Sequence, residues 1–430
     1  MNLLKTTLDN GLTVLIRESH SAPVTSFWLW YRVGSRDEHL GITGISHWVE
    51  HMLFKGTERW PRRKLDGSLA REGGVFNAMT WYDFTTYFET LPADKISLAL
   101  DIESDRMVHA LFSPEEVAAE RTVIISERQG NENNPLFLLD EEVSAAAYRV
   151  HPYGHDTIGH LCDLHTMTRD DLYHHYRTHY TPNNAIIAVA GDFNAGEMLR
   201  VIERYFALLE PGPEIPPLQA QEPPQRGERR VVVEGAAGTD YLTLAYHTPE
   251  ATHPDLFPLT VLSTVLAGGS GSLVRRGSLT NHTSRLYRAL VERELAADIS
   301  ASLIPTVDPS LYRLTATVLP GHTPAEVETA LLTEIERVQQ TAITEEELAK
   351  AKRQARALFA YSSESITNQA FWLGFSTIFA NTNWFMRYLD NLEAVTADDV
   401  LRVAQTYLQA RNRTVGYYQA MKNEEIKNNK

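Results

Sequence analysis

The sequence predicts an α+β protein of two domains, each a sheet with helices packed on one side, and three observations lead there. Strand-like and helix-like segments are mixed along the whole chain rather than grouped by type. One stretch breaks that pattern: PGPEIPPLQAQEPPQRG, from Pro211 to Gly227, holds six prolines and reads as an extended linker. The segments on either side of it then run in a similar order. Of the 430 residues, 1–210 and 228–430 are therefore expected to be two domains joined by linker 211–227.

Taken in order, the first half opens with a turn signal, Asp9-Asn10-Gly11, followed by the apolar TVLI. SFWLWYRVG comes next, aromatic-rich and alternating in the manner of a hairpin's strands. A helix is expected from about Gly44 to Phe54, and another over 114–129, where apolar residues recur at the 3.6-residue period with charges opposite. Residues 168–180 also read as helix and lead into AIIAVAG (185–191), the length of a buried strand. The second half repeats the order. RRVVVEG and DYLTLAYHTP are strand-like, LFPLTVLSTVLAGG and 343–362 are helical, and a helix over 396–410 leads into RTVGYYQ. Such repetition points to an internal duplication.

Composition narrows the function classes. Apolar residues make up 43% and charged residues 22%, which excludes a disordered, collagen-like or disulfide-scaffold protein. The net charge of −15 disfavours nucleic acid and anionic membranes as partners. Cys162 is the single cysteine, so no internal disulfide can form, which suits a reducing compartment. The opening MNLLKTTLDNGLTVL lacks the long apolar core of a secretory signal, and no run approaches the ~20 apolar residues of a membrane span. A cytoplasmic protein is expected.

The strongest chemical signal is His47-Trp48-Val49-Glu50-His51. Residues four apart share a helix face, so His47 and His51 would aim two imidazoles at one point. Zinc suits imidazole and carboxylate donors with a position left open for water. Glu50, beside the pair, could accept a proton from water acidified by the metal. Two surface histidines on a helix are the competing reading. A catalytic site needs a third protein ligand, and Glu127 is the candidate. Glu120 and Glu127 lie seven apart on one helical face and could supply a ligand and a supporting carboxylate. A solvated acidic face is the alternative, since carboxylates such as Glu115 and Glu116 look no different in isolation.

Several segments together carry a resemblance. HWVEHMLFKGT (47–57), EGGVFNAMTWYDFTTYF (72–88), ERTVIISE (120–127), HPYGHDTIG (151–159) and YTPNNAIIAVAGD (180–192) resemble the pitrilysin/insulinase metallopeptidases, in the branch of the mitochondrial processing peptidases and their bacterial relatives. The likeness spans the first half in order and continues more weakly through the second. It implies a zinc ion held by His47, His51 and Glu127, with Glu50 as general base and Glu120 as the nearby supporting carboxylate of the catalytic set. It also implies that Phe76, Asn77 and Ala78 pair with an extended substrate as an added strand. Each half would then be an α/β-roll, the chain half of a clam-shell, and two such chains would enclose a chamber. The activity implied is a zinc metalloendopeptidase acting on peptides or unfolded polypeptides.

The second half departs from the family pattern. The family's substrate-contacting arginine and tyrosine belong to a stretch matched here by Arg285–Ser300, where Val291 and Asp298 occupy their places. This chain therefore resembles the zinc-bearing subunit of a heterodimer whose partner supplies that pair. A self-sufficient homodimer, with Arg293 or Tyr287 as substitute donor, and a non-catalytic assembly subunit are the alternatives. Among other features, the histidines at 151, 155, 160, 165, 174, 175 and 179 offer H-x-x-x-H spacings without a convincing Glu partner. Asn281-His282-Thr283 and Asn412-Arg413-Thr414 match glycosylation acceptors, without meaning in the absence of a secretion signal. Gly268–Ser272 reads as a flexible turn that lacks the Lys-Ser/Thr of a phosphate-binding loop.

Overall fold

The computed structural model describes residues 3–236, 238–268 and 282–421, and strands alternate with helices throughout. The Gly268–Ser272 turn beyond Gly268, and Asn281, lie outside the described residues. In the first half the strands are β1 (Leu3–Thr7), β2 (Thr13–Glu18), β3 (Val24–Tyr31), β4 (Val75–Thr80), β5 (Thr85–Pro92) and β6 (Ala185–Gly191). The helices there are α1 (Ile45–Leu53), α2 (Arg62–Arg71), α3 (Ser97–His109), α4 (Pro114–Asn131), α5 (Pro135–Ala147), α6 (Leu161–Thr166), α7 (Arg169–His179) and α8 (Ala195–Phe206). Pro211–Gly227 holds neither helix nor strand, as its prolines dictate. The second half brings β7 (Arg229–Gly235), β8 (Tyr241–Thr248), β9 (Ala296–Ser302), β10 (Ser310–Val318) and β11 (Arg413–Ala420). Its helices are α9 (Leu256–Ala267), α10 (Pro324–Gln340), α11 (Glu345–Ser362), α12 (Ile366–Phe379), α13 (Thr382–Met386), α14 (Tyr388–Ala394) and α15 (Ala397–Tyr407). Among the described residues no helix is long and apolar enough to cross a membrane.

The two sheets share one topology. The first runs β1-β2-β6-β3-β5-β4 and the second β7-β11-β8-β10-β9. In each, the first strand of the shared set in chain order pairs parallel with the last (β2 with β6, β7 with β11), and every other pairing of the set is antiparallel. Details repeat as well. Capping boxes open both α7, at Thr168 and Asp171, and α15, at Thr396 and Asp399. Asn184 Nδ2 donates to the Arg32 and His179 carbonyls, and Asn412 Nδ2 donates to those of His247 and Tyr407. In each half the acceptors stand at the end of the equivalent strand, β3 or β8, and at the last residue of the equivalent helix, α7 or α15. The chain is thus two homologous α/β units, each with a mixed sheet and packed helices.

The expectation that SFWLWYRVG alternates in the manner of a hairpin's strands is corrected. β6 lies between β2 and β3, so the two are not neighbours. The hairpin is instead β1–β2, turning at Asp9-Asn10-Gly11, where Gly11 takes a φ of +87°. Nor does β3 alternate, because its residues from Thr25 to Tyr31 are all buried. A central strand covered on both faces has no polar side to show.

The compact units are not the contiguous halves that the linker suggests. One comprises residues up to Gln129, His155–Ala220 and Ser363–Phe385; the other comprises Gly130–Gly154, Gln221–Ser362 and the residues from Met386. Each half lends a helix to the other's sheet. In the first unit, α12 packs on β3 and β6. Phe371 stands 5.3 Å from both Trp28 and Trp30, ring centre to ring centre, and aromatic pairs of this kind add about 0.5–1.5 kcal/mol beyond their burial. Gly374 permits the approach, since a Cβ there would lie 2.0 Å from Trp30 Nε1. In the second unit, α5 packs on β7, β8 and β11. There Gly416 admits Val143 and Leu139, whose methyl groups would sit 2.3 and 2.9 Å from an added Cβ. The carbonyls at the end of α5 are satisfied by Arg229, and that of Ala147 also meets His247 Nε2 at 3.0 Å.

Candidate metal centre

The site lies within the first unit, on α1 and α4. Gly44 precedes α1 with φ of +88°, and a Cβ there would lie 2.4 Å from the Ile158 carbonyl oxygen, so glycine is required. Gly44 has no side chain to cap the helix. Buried Glu38 does so from outside: its carboxylate accepts from the Gly44 amide at 2.8 Å and the Ser46 amide at 2.9 Å. His155 Nε2 approaches the same carboxylate at 3.0 Å. Asp163 fixes the loop before the helix through the Gly41 and Thr43 amides and the Thr43 hydroxyl. Trp48, Val49, Met52 and Leu53 bury the inner face of α1, which leaves His47 and His51 half-buried one turn apart.

α4 is held against this helix by Arg121. Its guanidinium lies 4.9 Å from the Trp48 ring centre and donates to the carbonyls of Leu164, His165 and Met167. Glu120 and Glu127 thereby both face α1, the first buried and the second exposed. One ligand atom from each of His47, His51 and Glu127 lies within 4.8 Å of the others. Glu127 Oε2 stands 3.9 Å from His47 Nε2 and 3.7 Å from His51 Nε2. Among the described residues this is the one group of three or more such side chains so placed.

The surroundings sort the roles of the donors. His51 Nδ1 meets Glu120 Oε1 at 2.8 Å, and the other Glu120 oxygen pairs with Lys55. A histidine anchored at Nδ1 by a carboxylate presents Nε2 outward, the arrangement that orients metal-bound imidazoles. Glu120 thus touches a candidate ligand, and its contacts are with His51 and Lys55. Burial, reinforced by the nearness of His51, pushes the His47 imidazole down to about 3, so it is neutral and free to donate its lone pair. Burial works against charging His51, but the hydrogen bond to Glu120 and the surrounding carboxylates outweigh it and raise that group. Burial likewise opposes ionisation of Glu120, and the hydrogen bonds from His51 and Lys55 overcome it, holding its carboxyl low. Glu50 is buried beside the cluster. Desolvation raises its carboxyl above the ordinary range, against the pull of a 2.6 Å hydrogen bond from Thr80. Two imidazoles and a carboxylate converging on one point fit a zinc ion with a position left open.

Phe76, Asn77 and Ala78 lie on β4, which among the described residues pairs with β5 alone at the end of its sheet. They stand opposite Glu89, Phe88 and Tyr87, and Asn77 is exposed. β4 packs near α1 and ends on Thr80, the residue bonded to Glu50. Three histidines of the His-rich stretch meet structural partners: His151 meets Asp308 at 3.1 Å, His155 meets Glu38, and His175 meets the Ser46 hydroxyl at 3.1 Å. Sequence reasoning missed Glu38, Lys55, Thr80 and Asp163. Lys55 and Thr80 fall within quoted motif segments, but nothing in their spacing announces their partners.

A histidine pair and a carboxylate on facing helices, with a buried carboxyl beside them, define a candidate zinc centre of hydrolytic type. A family model described as insulinase (peptidase family M16) matches residues 13–160, and one described as peptidase M16 inactive domain matches residues 166–355. The chain belongs to this pitrilysin/insulinase family. It is 29% identical over 413 residues to the zinc protease PqqE of Helicobacter pylori, covering 94% of this chain and 89% of that protein. A probable mitochondrial-processing peptidase subunit beta of Arabidopsis thaliana is 29% identical over 298 residues, 69% of this chain and 56% of that protein. Among solved structures, that of a protease from Helicobacter pylori superposes with a TM-score of 0.91 at 27% identity, covering 97% of this chain and 99% of that one. The first half of the periplasmic protease PqqL of Escherichia coli shares the fold, with a TM-score of 0.76 at 20% identity over 99% of this chain and 95% of that one.

Proposed function

We propose that this chain is a zinc-dependent metalloendopeptidase of peptides or unfolded polypeptides, with His47, His51 and Glu127 as ligands and Glu50 as general base. The observation that carries the reading is the convergence of those three donors within 4.8 Å, on helices that also place Glu50 beside them. Zinc in such a set supplies Lewis acidity toward the scissile carbonyl and the attacking water. The chain's residues do the rest. Glu50 takes the proton from the water and returns it to the leaving amine, a transfer suited to a carboxyl whose affinity for protons burial has raised. Glu120 and Lys55 keep His51 in the tautomer that leaves Nε2 free. The free edge of β4 at Phe76–Ala78 receives the substrate as an added strand, with affinity from the main chain and little dependence on side chains.

The site is divided in this reading. Val291 ends a helical turn and exposed Asp298 sits on β9, where the family resemblance calls for arginine and tyrosine. Neither valine nor a carboxylate can stabilise the negative oxygen of a tetrahedral transition state. A homologous partner chain would bring that pair, and the two chains would close around the peptide. The zinc-loaded chain alone is expected to hydrolyse an unstructured peptide slowly. Adding a homologous partner that carries the pair should raise the rate by roughly 10²- to 10³-fold, the size of restoring one oxyanion donor. Full turnover without a partner would replace the heterodimer by a self-sufficient homodimer.

A further inference from the structure

Glu50 Oε2 accepts a 2.6 Å hydrogen bond from Thr80 Oγ1, and no other hydrogen-bond donor among the described residues reaches this carboxylate. Both side chains are buried, at 8% exposure each. The Thr80 hydroxyl oxygen lies 3.4 Å from that of Thr85, whose own proton goes to the Val33 carbonyl at 2.9 Å, so the Thr80 proton is the one given to Glu50. It is also the last residue of β4, two positions beyond Ala78 on the strand with the free edge. The element proposed to receive the peptide therefore ends on the side chain that grips the proposed base.

We propose that Thr80 is the positioning residue of the general base, fixing the rotation of the Glu50 carboxylate and tying it to the strand on which the substrate is laid. The inference rests on the peptidase reading. With Oε2 committed to Thr80, Oε1 is the oxygen left to take the proton. A peptide paired with β4 is then registered against the base through one continuous strand rather than through separate elements. A general base acts only from within hydrogen-bond reach of its proton, so a carboxylate free to rotate is a poor one. A purely structural role for Thr80 would instead reside in its methyl group and its packing.

Thr80→Val removes the hydroxyl and keeps the shape. In the zinc-loaded protein, assayed with whatever partner full activity requires, kcat is expected to fall about 10- to 100-fold, the size of losing one hydrogen bond to a charged group. KM should stay within about twofold and zinc content should not change. Thr80→Ser should recover kcat to within about threefold of the wild type, and Thr80→Ala should behave as valine does should valine crowd the site. Wild-type kcat in the valine variant, or a serine variant as slow as valine, would overturn the proposal. A second readout needs no turnover. The carboxylate stretching band of Glu50, isolated as the infrared difference between wild type and Glu50→Gln, should shift in Thr80→Val and not in Thr80→Ser, and an unmoved band overturns the proposal. A band that shifts in Thr80→Val as expected, beside a zinc-loaded wild type that hydrolyses no peptide with any partner, would fail the peptidase reading instead, and the assignment of Thr80 to a base would fall with it.

Discussion

Glu50→Gln is expected to abolish peptide hydrolysis, by about 10²- to 10⁴-fold, while zinc content and fold stay intact. Glutamine has the same shape, and its amide oxygen can still accept the hydrogen bond that Thr80 donates at 2.6 Å. What it cannot do is bind a proton. Glu50 lies beside the three converging donors without being one of them, so the substitution removes no ligand. Zinc measured per chain by mass spectrometry, thermal unfolding and kcat on an unstructured peptide separate these effects. A variant that loses metal, fold and activity together would show that the role given to Glu50 is wrong.

His51→Ala is expected to reduce zinc from about one per chain to a small fraction of that. Two remaining protein donors cannot hold the ion tightly, because structural and catalytic zinc sites draw on three or four. The damage reaches further than one ligand. Glu120 loses its 2.8 Å partner and stays buried against Lys55, so the helix pair carrying the site also loses a tie between α1 and α4. Glu127→Gln should lose zinc as well, with less effect on the fold, since Glu127 is exposed and its contacts are with the two histidines. Undiminished zinc in Glu127→Gln would place the third ligand elsewhere.

How much of this was legible in the sequence depends on whether the signal is local. His47, Glu50 and His51 announce themselves because helical periodicity alone puts them on one face. Glu127 stands 76 residues beyond His51, and no periodicity links them. It could be singled out only through the family resemblance, since Glu115 and Glu116 on the same helix look alike in isolation. Glu38, His155 and Asp163, which set the start of α1, belong to contacts spanning six to 122 positions, and their identities carry no trace of it. The helices carrying the site, α1 and α4, were legible, but α5 and α12 were not among the segments read as helix, and nothing local in either says that it packs on the sheet of the other half. The duplication could be read from the order of the segments, because order along the chain survives in topology. The hairpin expected at β3 failed because an aromatic-rich run does not reveal that both faces of its strand are covered.

The most direct test of the zinc centre is anomalous diffraction at the zinc edge from crystals of the zinc-loaded protein. One peak is predicted, about 2.0–2.2 Å from His47 Nε2, His51 Nε2 and a Glu127 carboxylate oxygen, with Glu50 beside it and outside bonding distance. No peak at that point, or a peak held by Glu50 or by residues outside this set, would contradict the account.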